Sequence, residues 1–370
     1  MKKLTTIFLA AAAAFAVLPA FGQVKMKYQP DPVFGQDRIK KLHDASPAKA
    51  AAAPAKPRKM LIFSRTSGFR HYGGIVAAKE VLKHMGEKLG VWETVISDDI
   101  NEFTPENLKK YDVVILNNPT AACFGPTNVE LDQMSKEDAK KAVQNSLQYC
   151  KNLIEYVKNG GGVVGLHSAP DCYNYDNIRC WEYTNLLGGD FVAHPWTLGG
   201  WTGVMSPKYM FSIDDENSPI TKGIWPSNGF MVYDEIYMMG KSYDRSKCRI
   251  LIRLDTDQSY FLRENDRLNP PKIRDDKDIG VVWIKNEGNG RVAYFGFGHD
   301  WNNYTNPRIQ EMLMRLVQFA CGDRKEVVGK TAAFARKIGC RKPGPGDDPD
   351  GSGGGLLHLR FGRFGVRRRP

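Results

Sequence analysis

The chain has 370 residues, of which 42% are hydrophobic, 25% charged and 11% aromatic; this excludes wholesale disorder, a collagen-like repeat and a small disulfide framework. Its formal charge of +11 divides unevenly: residues 1–22 carry +2, residues 23–60 carry +6 and residues 341–370 carry +4, while residues 61–340 hold 34 basic against 35 acidic side chains. The excess lies in the tails, so the central part lacks the global field that would favour a phosphate backbone.

Lys2 and Lys3 precede an apolar run over 7–18, and Pro19-Ala20-Phe21-Gly22 ends in a small-x-small pattern. This is the layout of a secretory signal cleaved after Gly22. The run is too short to span a bilayer comfortably, and no Cys stands near the cleavage site to carry a lipid. A periplasmic or secreted protein without a membrane anchor is expected. Residues 23–58, rich in Ala, Pro and Lys towards their end, read as a linker to the fold.

From Lys59 strand and helix signals alternate. Strands are predicted over 60–64, 93–97, 112–118 and 160–168, with helices over 75–89, 104–110 and 136–158 between them. Ser135 and Asp138 form a capping box before the longest helix. Apolar, β-branched strands separated by helices indicate a parallel sheet covered on both faces, a doubly wound α/β domain. The second half is richer in strands: 190–194, 203–205, 229–239, 249–255, 279–285 and 291–297, the last two joined by a turn at 286–290. A closing helix fits 306–321. The domain is therefore placed over 59–324 with an antiparallel elaboration. Residues 325–370, Pro/Gly-rich and then arginine-rich, read as a disordered basic tail.

Seven cysteines are irregularly spaced and form no C-x-x-C. Cys172 and Cys180 are the nearest pair that could close a short loop, whereas Cys150, Cys248 and Cys321 read as small core residues.

In an open parallel sheet, ligands bind beyond the carboxyl ends of the strands. Four of the seven histidines, His71, His167, His194 and His299, fall at such strand ends, each close to a Gly or Pro. Singly, each reads as a satisfied turn or core histidine. Together they point to a shared pocket, suited to Zn²⁺ or another divalent metal, to sugar hydroxyls or to proton transfer near neutral pH. Tyr233-Asp234-Glu235-Ile236-Tyr237 adds two carboxylates on opposite faces of a strand, one of them on a mostly apolar side. A carboxylate there is either paired structurally or displaced in pKa towards catalysis. Trp196, Trp201 and Tyr173 flank these turns and are candidates for stacking on sugar rings, with Arg70 and Tyr233 as further substrate contacts; ordinary core packing is the competing reading for each aromatic.

Five segments taken together, GFRH at 68–71, GGGVVGLHSAPD at 160–171, GGDFVAHPW at 188–196, YDEIY at 233–237 and GRVAYFGFGHD at 290–300, resemble the ThuA-like (trehalose utilisation) family over roughly 59–324. The resemblance implies a flavodoxin-like sheet similar to that of class I glutamine amidotransferases. Those enzymes place a nucleophilic Cys on a G-x-C-x-G elbow. Here Gly165-Leu166-His167-Ser168-Ala169 carries His in its place, which argues against glutamine hydrolysis, and Ser168 is off in spacing.

The resemblance further implies a role in carbohydrate use, associated with keto-sugars. A keto group acidifies the neighbouring C–H, so hydrolysis, elimination or isomerisation of a keto-glycoside becomes accessible to a base and a Lewis acid. The expected site has His71, His167, His194 and His299 around a metal and Asp234, Glu235 and His167 as catalytic groups, acting on a small carbohydrate. A non-catalytic sugar-binding or accessory module is the alternative. Nucleic acid is not an expected partner, and the oligomeric state is left open.

Overall fold

The structure, a computed structural model, describes residues 30–175, 178–195, 208–261 and 274–324. Helix α1 (Gln36–Asp44) leads to strand β1 (Lys59–Phe63), helix α2 (Tyr72–Leu89), strand β2 (Glu93–Ile96), the short helix α3 (Pro105–Leu108) and strand β3 (Val113–Asn117). Helices α4 (Asn128–Leu131) and α5 (Lys136–Lys158) precede strand β4 (Gly162–Leu166) and helix α6 (Trp181–Leu187). Then come β5 (Phe191–Ala193), β6 (Lys208–Ile213), β7 (Phe230–Tyr233), β8 (Met238–Met239) and β9 (Arg249–Leu254). Helix α7 (Thr256–Phe261), the hairpin of β10 (Gly280–Glu287) and β11 (Gly290–Phe295), and helix α8 (Pro307–Cys321) complete the described chain.

Nine strands form one sheet in the order β2-β1-β3-β4-β11-β10-β9-β6-β7. The pairings from β2 to β11 are parallel, the flavodoxin-like doubly wound half, and those from β11 to β7 are antiparallel. The faces follow strand alternation. Met60, Ile62, Val113, Ile115 and Val164 pack with α2 and α8, while Leu61, Phe63, Val114, Leu116 and Val163 pack with α5 and α6.

Three readings of the sequence are corrected. The segment taken as a linker carries α1, whose Leu42 is fully buried against α2 and α8; Gln310 of α8 donates to Leu42 O and Gln318 to Ala52 O. Its apolar anchors Ile39 and Leu42, three residues apart, share one helical face, and Phe34 just before the helix joins the same core. The strand expected over 229–239 breaks at 234–237: β7 stays in the large sheet and β8 pairs with β5. The cysteines described, Cys172 and Cys180 included, are free thiols, and all are buried. Strand β6 was not expected. The segment 203–205, the signal and the basic tail lie outside the described residues, among which no helix is long and apolar enough to cross a membrane.

Candidate metal centre

The carboxyl ends of β1, β3, β4 and β11 open on one side of the sheet, and the histidines gather there. His71 stands just before α2, in the turn that follows β1. A Cβ on Gly74 would sit 2.1 Å from Gly298 O, so glycine lets α2 close on the turn after β11 and brings His71 beside His299. Their ring centroids are 5.1 Å apart, and His71 and His167 are 4.8 Å apart.

His167 directly follows β4 with φ +41°, a backbone region that costs a non-glycine residue strain, at the place the resemblance compared with the amidotransferase elbow. Its N–H donates to Phe295 O (2.8 Å), and its carbonyl accepts from the Tyr294 hydroxyl (2.7 Å), so neighbours on β11 hold the turn. Its Nδ1 lies 3.4 Å from Gly296 O. A carbonyl can only accept, so Nδ1 carries the proton and Nε2 of the neutral ring presents a lone pair to the site. Ser168 Oγ contacts His71 Nδ1 at 3.3 Å, which gives that hydroxyl an orienting place.

Glu235 enters from the break between β7 and β8. One carboxylate oxygen, Oε2, lies 3.4 Å from His167 Nε2, 3.3 Å from His194 Nε2 and 3.0 Å from His299 Nδ1. His71, His167, Glu235 and His299 each offer one ligand atom, all within 4.8 Å of one another. Where the sequence suggested four histidines, the group that could hold an ion is completed by Glu235, and His194 touches Glu235 from outside that group.

The donors fit a divalent ion. Three imidazoles and one carboxylate form a borderline set suited to zinc. His167 Nε2, His194 Nε2 and His299 Nδ1 are buried with no hydrogen-bond partner, since none is directed at Glu235 in hydrogen-bonding geometry despite the short contacts. Burial and the neighbouring imidazoles hold His71 well below the ordinary histidine range, and burial outweighs Glu235 in lowering His167. Burial alone would raise Glu235, but the imidazoles around it hold it well below the carboxylate range. For His299 the carboxylate overcomes burial and raises the ring.

Asp234 is fully buried and points elsewhere. It accepts N–H groups from Gly298 (2.7 Å), Asp300 (3.2 Å) and Glu235 (2.9 Å), and burial pushes its carboxyl up to about 7. With its oxygens taken by backbone, it braces the turn that carries His299 and does not reach the reacting side as the sequence suggested.

Arg70 is also reassigned. Its guanidinium binds both oxygens of Asp31 at 2.8 Å and Ser64 O at 2.8 Å, tying the segment before α1 to the end of β1. Tyr173 has no exposed surface. Its ring packs on Phe124 and Tyr183, and its hydroxyl bonds Ser146 Oγ and the Phe124 N–H. Neither is placed to touch a substrate. Tyr233 is 58% exposed, while Trp196 and Trp201 lie outside the described residues.

One pair was missed. Asp171 is buried and accepts the Tyr175 hydroxyl on both oxygens (3.0 and 3.1 Å); burial pushes its carboxyl up to about 6, and His194 and Glu235 act on it electrostatically. Its sequence signal was its place five residues past the end of β4. Tyr237 walls the same region, its ring centroid 4.7 Å from His167 and 5.1 Å from His194. A separate cavity of about 490 Å³ opens at the opposite end of the strands, beside Arg58, Asp112 and Arg291. Its two arginines are engaged, Arg58 by Asp112 and Asp323, and Arg291 by the carbonyls of Gly160 and Ala320.

The family model described as ThuA, trehalose utilisation, matches residues 59–320. A crystal structure of a ThuA-like protein from Bacteroides uniformis superposes with a TM-score of 0.52 at 22% identity, covering 74% of this chain and 94% of that one. A second, from Parabacteroides merdae, gives 0.44 at 16% identity, covering 80% and 95%. No curated protein matches the sequence. With the family model spanning the whole sheet and every residue of the His/Glu group, the chain belongs to the ThuA, or trehalose utilisation, family.

Proposed function

We propose that this protein is a periplasmic carbohydrate-processing enzyme that acts on keto-sugars or keto-glycosides at a divalent metal centre. His71, His167, Glu235 and His299 hold the ion. The observation that carries this reading is the convergence of those four donors within 4.8 Å, together with buried ring nitrogens that lack hydrogen-bond partners. A bound divalent ion would supply Lewis acidity towards a keto oxygen.

The protein's own groups supply the rest. Asp171, with a carboxyl near 6, holds or releases a proton close to neutral pH, and its hydrogen-bond partner Tyr175 is an exposed residue. Elimination and isomerisation of a keto-glycoside share a first proton removal beside the keto group, and elimination followed by addition of water amounts to hydrolysis, so one acid–base group serves these routes. Phe69, 40% exposed and edge-on to His71, and Tyr233 offer apolar faces to a sugar ring.

The test is metal analysis of the purified protein beside His167→Ala, followed by turnover of a keto-glycoside panel with and without chelator. Near-stoichiometric metal in the parent protein, lost in the variant, and chelator-sensitive turnover are expected. A parent protein that binds no divalent ion overturns the metal centre. Sugar binding without turnover in the metal-loaded protein would reassign the chain as a binding module.

A further inference from the structure

Residues 30–58 lie ahead of the stretch that the family model matches, yet they reach two turns that carry histidines of the metal centre. At the turn after β1, Asp31 takes the Arg70 guanidinium on both carboxylate oxygens, Oδ1 from Nε and Oδ2 from Nη2, each at 2.8 Å. The same carboxylate lies 3.5 Å from Lys79 Nζ on α2. Arg70 also donates to Ser64 O just past β1, and the next residue in the chain is His71. Burial alone would raise the Asp31 carboxyl, but Arg70 and Lys79 hold it below the ordinary carboxylate range, so the bridge is charged at neutral pH.

At the turn after β11, Phe34 is buried against Trp301, with ring centroids 5.5 Å apart and planes at 66°. The Arg38 guanidinium of α1 lies 4.8 Å from the centroid of the Trp301 ring and 5.4 Å from that of Phe34. Trp301 stands two residues beyond His299 and opens the 3₁₀ turn Trp301–Thr305. It also packs on the start of α2, where a Cβ on Gly73 would meet its side chain at the ordinary contact distance of 3.6 Å. One short stretch therefore fixes the residue before His71 and the residue two past His299. The two-pronged ion pair sets direction as well as distance, and the aromatic and cation–π contacts hold the indole from above.

We propose that Asp31, Phe34 and Arg38 form a clamp that sets the separation of His71 and His299, which makes these three the positioning residues of the metal centre. The clamp rests on the divalent-ion reading of that centre. Asp31 acts through Arg70, and Phe34 and Arg38 act through Trp301. Donors held at ligand distance before an ion arrives bind it more tightly, because less ordering has to be supplied on binding. Leu42, buried in the core with α2 and α8, and the bond from Gln310 to Leu42 O hold the far end of α1. The clamp residues can therefore be changed without releasing the helix.

The test uses the full chain and two readouts. Zinc affinity is measured by competition with a chromophoric chelator, and amide hydrogen exchange is followed by mass spectrometry in the metal-free protein. Asp31→Asn keeps the shape of the side chain and removes the charge that holds Arg70. Its zinc affinity should fall about tenfold, with exchange over 68–74 at least about three times faster. Arg38→Met keeps apolar bulk and loses the cation over Trp301. It should lower zinc affinity about threefold, with faster exchange over 300–305. In both variants exchange across α8 stays at the parent rate, which separates a loosened turn from a loosened fold. A variant at the parent level in both readouts overturns its half of the clamp, and faster exchange with parent-level affinity overturns its role at the metal centre. A parent protein that takes up no zinc overturns the metal centre itself, while the exchange comparison, made without metal, still decides whether residues 31–38 hold the two turns.

Discussion

The carboxylate of Asp234 accepts the Gly298 N–H at 2.7 Å, joining the break after β7 to the turn after β11. Glu235 and His299 are the next residues on the two sides of that bond, so one buried carboxylate sets the distance between two proposed ligands. Asp234→Ala leaves three N–H groups without their acceptor, that of Gly298 buried and those of Asp300 and Glu235 partly so. A stability loss of about 2–4 kcal/mol in denaturant unfolding is expected, since an orphaned buried donor costs about 1–3 kcal/mol. Zinc affinity, measured by competition with a chromophoric chelator, should fall about 10–100-fold. Unchanged affinity would mean that the brace does not position His299.

Glu235→Gln keeps the side-chain shape and removes the charge that three imidazoles surround. A neutral amide oxygen is a poorer ligand than a carboxylate for a hard or borderline divalent ion. Metal content after equilibration with equimolar zinc should fall below a tenth of the parent value. His194→Ala, outside the four-donor group, should retain most of its metal. The opposite ranking would restore the four-histidine set read from the sequence.

Arg70 sits within one residue of a proposed ligand yet spends its guanidinium on Asp31 and Ser64. Lysine cannot form the two-pronged contact. Arg70→Lys should cost about 1–3 kcal/mol of stability and leave the KM for any accepted sugar unchanged. A raised KM with unaltered unfolding would return Arg70 to the substrate.

The parallel strands and the histidines at their ends were legible because uninterrupted apolar runs mark buried strands, and the crevice rule places ligands just past them. The same logic missed what depends on distant partners. Nothing near Arg70 or Tyr173 in sequence announces Asp31 or Ser146, so two buried, satisfied polar groups passed for exposed ones. The alternation of YDEIY reads as continuous strand, yet the Asp234 brace and the centring of Glu235 both require a break there. Helix α1 was hidden by its charged composition, since within it Ile39 and Leu42 are the apolar residues that meet the core.

That helix gives a direct test. Leu42 is fully buried in the core shared with α2 and α8. Leu42→Ala should destabilise the whole domain by roughly 2–5 kcal/mol in a single unfolding transition. A loss below about 0.5 kcal/mol would mean that the segment behaves as the linker its composition suggests.

Asp171 gives a pH test with a defined sign. Its carboxyl lies near 6 when folded, against about 3.9 in an unfolded chain, because burial penalises the charged form. Between those values the folded protein binds more protons at this site than the unfolded chain. The group therefore costs stability as pH rises from about 4 to 6, and the cost is complete above that range. Over the whole window it reaches at most about 3 kcal/mol. In Asp171→Asn the proton no longer titrates. Unfolding measured at pH 4, 5, 6 and 7 should show the parent losing ground to the variant up to pH 6 and holding level from there to pH 7. Parallel curves across the window would place the Asp171 carboxyl in the ordinary range and remove it as the acid–base group.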